Sequence, residues 1–164
     1  MKIILIAVLL LLFSGPSHSQ EASQVARSLW GYSGGHDFRD APVNSMAPIV
    51  INNDGGGIVS DFENKVQYYA SRNRQIKVAG SCRSACTLVL AYTNACVYRG
   101  AVFKFHMARG AYDGVADRSA TAKMIHWMPW SLQEHLRRNI AMDYNSNTII
   151  RGSELIAIGA AREC

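Results

Sequence analysis

Two short β-branched runs with a helix-length segment between them constrain this chain most. "APIVIN" (Ala47–Asn52) and "IKVAG" (Ile76–Gly80) are each apolar and short enough to be buried strands. The intervening "SDFENKVQYYASRNR" puts Phe62, Val66 and Tyr69 on one face at helical spacing, which predicts an amphipathic helix. Ser60 and Glu63 stand at its start in capping-box spacing. Strand, glycine turn, helix, strand in that order predicts a β-α-β unit with a right-handed crossover. The expected class is therefore α/β, a mostly parallel sheet flanked by helices.

Downstream residues continue the same pattern. "SACTLVLAY" reads as a mostly buried helix, and "CVYRGAVFKFH" supplies one or two more short strands. Helical patterns follow around "DRSATAKMIHWM" and "SLQEHLRRNIAM", the latter with Ser131 and Glu134 as a second capping box just after Pro129. A last short helix, "SELIAIGAA", leads to Cys164. With no internal repeat and no linker, residues 47–164 form one domain, and 164 residues in all are enough for a sizeable core. Residues 20–46 are mostly polar and include "GYSGGHDFRDAPVNSM", an irregular lead-in.

The first nineteen residues set the compartment. Lys2 precedes an apolar run from Ile3 to Phe13, Gly15 and Pro16 break it, and Ser17 and Ser19 are the small residues a signal peptidase reads. That is the layout of a secretory signal peptide, with cleavage ahead of Gln20. The run is too short for a transmembrane helix, which takes about 20 residues. The expectation is an exported protein, periplasmic or secreted, with no membrane span after cleavage. Its net charge of +5 includes Lys2, and the remaining basic residues are scattered rather than interleaved with aromatics. Nucleic acid is not an expected partner.

Four cysteines remain: Cys82, Cys86, Cys96 and Cys164. An even number in an exported chain implies two disulfides, and three connectivities are open. A bridge from Cys82 or Cys86 to Cys96, with Cys164 closing the other, would brace the segment between them. Cys82 and Cys86 also have the spacing of soft-metal ligands, but no second close pair accompanies them, so no metal and no cofactor is expected.

Ser84 lies between those two cysteines, where a strand passes into a helix. A helix start favours negative charge and leaves amides unpaired, the N–H of Ala85 among them. In a parallel sheet the "NDGGG" turn ends its strand at the same carboxyl edge, and so does His106, which closes the run "AVFKFH". Serine, histidine and a glycine amide are the parts that acyl-bond hydrolysis needs: nucleophile, base and oxyanion donor. Each part also has a structural use. The serine is a common helix cap, the glycines a common turn.

"IVINNDGGG … VAGSCRSACTLVLAYTNACVYRGAVFKFHMA" resembles the core of the Clp protease proteolytic subunit and the wider Clp/crotonase-like fold. It is most similar to predicted periplasmic members with a Cys-x-Ser-Ala-Cys segment, here "CRSAC". The likeness covers Pro48 to Met107 and extends more loosely to "GSELIAIGAA". It implies Ser84 as nucleophile, His106 as base, and Gly56 and Ala85 as oxyanion amides, with Gly55 or Gly57 as register alternatives. The family's acidic third member has no counterpart. "NSNTIIRGS" holds no Asp or Glu, and aligning on Glu154 and Gly159 puts Asn147 near the acid's place, with Asn145 and Asp143 as further candidates. The region that forms ring contacts in Clp subunits is not recognisable, so no heptamer follows from the resemblance.

Three functions fit these residues. One is an exported serine hydrolase, a peptidase acting on peptide or protein. Another is a catalytically inactive domain of the same fold that binds peptide or protein in the envelope. The third is a disulfide-stabilised envelope protein in which "CRSAC" exists to make the staple.

Overall fold

The strand Ile49–Asp54 (β1) buries Ile49 and Ile51 and exposes Val50, the alternation of a strand with one covered face. In the computed structural model, which describes residues 37–38, 41–110, 113–139 and 147–164, it is followed by ten further elements. These are α1 (Val59–Ser71), β2 (Ile76–Arg83), a 3-10 helix (Ser84–Ala91), β3 (Ala95–Val97) and β4 (Val102–Phe105). Then come α2 (Arg118–Trp127), α3 (Trp130–Asn139), β5 (Thr148–Arg151), α4 (Gly152–Ala157) and β6 (Arg162–Glu163). The signal peptide expected at 1–19, most of the 20–46 lead-in, Asp143 and Asn145 lie outside the described residues.

The strands form a mixed six-stranded sheet. β2 is its centre: β1 runs parallel along one edge, while β3 and then β4 share the other. β3 pairs with Ile76–Val78, and β4 with Ser81–Arg83. β6 extends the sheet in parallel beside β3, and β5 lies antiparallel against β4. The class is α/β, parallel at its centre as the residue order predicts, with β5 and β6 as strands that the sequence pattern does not reveal. Two and four residues are too few to show a period.

One face of the sheet carries the core. Ile51, Val78, Cys82, Phe103 and Ile150 pack there with Phe62, Tyr69, Leu88 and Leu132 from the helices. Val50 and Ile149, on the other face, are exposed. Phe38 also belongs to the core. It is fully buried against Phe62 and Tyr69, so packing begins upstream of residue 47. Arg74 holds the neighbouring chain in place, donating from Nε to the Ala47 carbonyl (2.8 Å) and from Nη1 to Pro42 (2.6 Å). No helix among the described residues is long and apolar enough to cross a membrane.

Neither expected capping box forms. α1 starts one residue earlier than Ser60, after Ile58, and its cap has no side-chain bond. Glu63 turns instead into the packing between helices, where Lys123 Nζ meets its Oε2 at 2.8 Å. α3 begins at Trp130, which places Ser131 inside the helix, while Glu134 pairs with Arg138 one turn on. In both places a tertiary or i, i+4 partner takes the glutamate from the helix end. A glutamate does serve in this way at α4, where Glu154 Oε2 accepts the Arg151 N–H at 3.0 Å.

The disulfides pair Cys82 with Cys86 and Cys96 with Cys164. The bridge from the Ser84 segment to Cys96, considered from the sequence, is not made. β6 runs beside β3 and delivers Cys164 to Cys96, its N–H bonded to the Val97 carbonyl at 3.1 Å. That leaves Cys82 and Cys86, one at the end of β2 and the other a turn into the 3-10 helix, to bridge each other. Disulfides of this kind are compatible with an oxidising, exported environment.

Candidate functional site

β2 ends at Arg83 and the chain turns sharply at Ser84, whose φ is +56°. A residue with a Cβ rarely adopts that conformation without being held there. Two features hold it. The Cys82–Cys86 disulfide closes the chain around Arg83, Ser84 and Ala85. Gly56, itself at φ +81°, lies directly against the turn: a Cβ added to it would be 2.5 Å from the Arg83 carbonyl oxygen, 2.8 Å from Ser84 Cβ and 2.9 Å from the Ala85 nitrogen. Only glycine satisfies both the dihedral and the space.

Asp54 positions that glycine. Fully buried at the end of β1, it accepts the Gly56 N–H at Oδ1 (2.8 Å) and the Phe38 N–H at Oδ2 (2.9 Å). The first bond is an Asx turn. It also commits the Gly56 amide, expected as an oxyanion donor, to a carboxylate of the protein. Gly57 and Gly55, the register alternatives, carry the amides to either side. Thr87, one turn into the 3-10 helix, donates to the Ser84 carbonyl at 2.7 Å.

His106 follows the last residue of β4 and is 9% exposed. Its Nδ1 is 2.7 Å from the Met107 carbonyl oxygen. A carbonyl only accepts, so Nδ1 carries the proton and the neutral ring keeps its lone pair on Nε2. Nε2 is buried and makes no hydrogen bond among the described residues. Burial holds the ring below its ordinary pKa; the Met107 carbonyl opposes this, and the positive charges of Arg83 and Arg109 push it down further.

The Met107–Ala108 peptide is gripped from its other side. The Ala108 N–H donates to Thr121 Oγ1 at 2.9 Å, and the Thr121 hydroxyl donates to the Asp117 carbonyl at 2.7 Å. Asp117 N–H returns to the Ala108 carbonyl at 2.8 Å. The peptide unit that receives the His106 proton is thus fixed by a side chain of α2, and serial hydrogen bonds of this kind polarise one another.

Ser84 and His106 line one cleft, together with Thr87 and Thr121. Its remaining wall is apolar: Phe105 from β4, Met124 and Ile125 from α2, then Met128 and Leu136. The cleft holds about 10 Å³ of space for water, room for about a single molecule.

The residues expected to meet at the sheet's carboxyl edge do meet there, Ser84, Ala85 and the glycine turn on one side and His106 on the other. Asn147 is close by register, one position beyond the Phe105–Thr148 pair of β4 and β5. Its side chain is exposed, and His106 Nδ1 bonds to Met107 instead. Asp54, Thr121 and the Met107 carbonyl are absent from the sequence reading. Asp54 had a legible signal, an aspartate two residues before a glycine that needs its amide held. A backbone carbonyl has none.

No protein-family model matches the chain, and no curated protein is similar enough to count as a relative.

Proposed function

We propose that this domain is an exported serine hydrolase, a peptidase of Clp/crotonase-like fold, with Ser84 as nucleophile and His106 as general base. One observation carries the reading. The Met107 carbonyl accepts a hydrogen bond from Nδ1 of a buried histidine, which leaves the lone pair on Nε2, and His106 and Ser84 line the same cleft. In serine triads an acid does this orienting, and it also stabilises the imidazolium that forms. A neutral carbonyl supplies the first service in full and the second only in part, so turnover would be slow.

In the reaction, Ser84 Oγ attacks the scissile carbonyl carbon as its proton passes to His106 Nε2. The oxyanion meets the N–H groups of Ala85 and Gly57, since that of Gly56 is held by Asp54. His106 returns the proton to the leaving amine as the C–N bond breaks. Water, deprotonated by the same nitrogen, then releases the acyl group. The lowered His106 pKa keeps the base neutral at pH 7. Met124, Ile125 and Met128 favour an apolar side chain beside the scissile bond, and its entry requires that wall to move outward.

The narrowness of the cleft favours a second reading, a domain that binds peptide or protein without cleaving it. Labelling with a fluorophosphonate probe separates the two. The full exported protein, disulfides intact, should label covalently, and labelling should vanish in Ser84→Ala and His106→Ala. Absence of labelling in a folded protein would remove the hydrolase reading.

A further inference from the structure

Arg83 and Lys104 are register partners on the adjacent parallel strands β2 and β4. Side chains of paired residues stand on the same face of a sheet, here the one opposite Cys82 and Phe103, which are buried in the core. Two cations directly across from each other repel. Neither has an acid or any other hydrogen-bonding partner among the described residues, and Arg83 Nε is buried with no acceptor. An N–H of a charged guanidinium, hidden from water and unpaired, is a costly arrangement. An anion held by the terminal guanidinium nitrogens and the ammonium would relieve the repulsion and offset the unpaired charge.

The position of the pair is as telling as its charge. Arg83 immediately precedes Ser84, and Lys104 stands two residues before His106, so a cation stands just upstream of each member of the proposed catalytic pair. The Cys82–Cys86 bridge encloses Arg83 and Ser84 in one small loop, which fixes the distance between the guanidinium's backbone and the hydroxyl's. Neither cation lines the apolar cleft itself, but each lies within two residues in sequence of a residue that does. A guanidinium edge matches a carboxylate in plane and spacing, and a neighbouring ammonium adds a point charge.

We propose that Arg83 and Lys104 form a carboxylate subsite, and that the substrates are peptides carrying an anionic group close to the scissile bond. This rests on the hydrolase reading for its catalytic consequence but not for its binding. The carboxylate has two sources, a free C-terminus or an Asp or Glu side chain.

The test uses the full exported protein and peptides matched in sequence, with one apolar residue at the cleavage point. One pair ends in a carboxylate or a carboxamide, and another carries an internal Glu or Gln. At pH 8, kcat/KM for the preferred carboxylate member should exceed that of its neutral twin by roughly ten- to a hundredfold, the worth of one charge-assisted hydrogen bond. The pair that shows the difference identifies the source. In Arg83→Gln and in Lys104→Gln the ratio should fall toward one, and Arg83→Lys should restore part of it. A ratio near one in the wild-type protein, or one that survives both substitutions, would overturn the subsite. If no peptide is cleaved and the fluorophosphonate does not label, the hydrolase reading has failed separately. Calorimetric titration of the same peptides then decides the subsite, which stands if the carboxylate member binds more tightly and Arg83→Gln abolishes that preference, and falls otherwise.

Discussion

The two disulfides act on very different lengths of chain. Cys96–Cys164 spans 68 residues and ties the last residue to β3, whereas Cys82–Cys86 spans four and encloses Ser84. By chain entropy the long loop contributes about 4 kcal/mol and the short one about 2 kcal/mol. The larger contribution lies away from the candidate site, and the smaller one holds its one strained residue. Global stability and local geometry are thus supported by separate covalent links, and each can be cut without the other.

Cutting the long link should have the largest effect on stability. Cys96→Ala with Cys164→Ala should lower the unfolding free energy by about 4 kcal/mol in urea. Fluorophosphonate labelling of the protein that remains folded should keep its rate. A parallel fall in labelling would show that the two regions are not independent. Cutting the short link should do the reverse. Cys82→Ala with Cys86→Ala should cost about 2 kcal/mol, yet slow labelling by about tenfold or more. Relaxing Ser84 from φ +56° misplaces Oγ, and small displacements of reacting groups are expensive.

The histidine side has no covalent brace, only hydrogen bonds, so its variants should have smaller effects. Thr121→Val leaves the Ala108 N–H without its acceptor and should cost about 1–2 kcal/mol. Because the Met107 carbonyl raises the His106 pKa, loosening that peptide should move the pH–labelling profile to lower pH and reduce its plateau, and Thr121→Ser should restore both. A profile that keeps its midpoint in Thr121→Val would reduce Thr121 to a packing residue.

The smallest effect is on stability through pH. His106 has its folded pKa below the 6.5 of an ordinary histidine. As pH falls through 6.5 the unfolded chain takes up a proton that the folded protein refuses, so stability declines, and it levels off below the folded value. Urea midpoints at pH 7.5 and 5.5 should show this decline, and His106→Gln should flatten its share of it. An unchanged slope in that variant would mean that other groups carry it.

Local patterns conveyed the frame of this site. Ala47–Asn52 and Ile76–Gly80 announce parallel strands through β-branched runs, and a parallel sheet brings Gly56, Ser84 and His106 to one edge wherever its helices lie. Two-residue strands such as β6 carry no comparable pattern. Nor does β5, whose four residues place Asn147 beside His106 without giving it the bond. The capping boxes at Ser60 and Ser131 were misleading for a related reason. A glutamate near a helix start is offered several partners at once, and here Glu63 meets Lys123 and Glu134 meets Arg138.

By itself the sequence determined the periodicities, the residue types at the turn and the even count of cysteines, because these depend on neighbours in the chain. Only the tertiary structure decided the rest. It paired Cys82 with Cys86 because β6 carries Cys164 to Cys96. It gave the Gly56 amide to Asp54 and oriented His106 on the Met107 carbonyl through Thr121. A hydrogen bond goes to whichever acceptor packing brings within about 3 Å, and a backbone carbonyl looks the same at every position in a sequence.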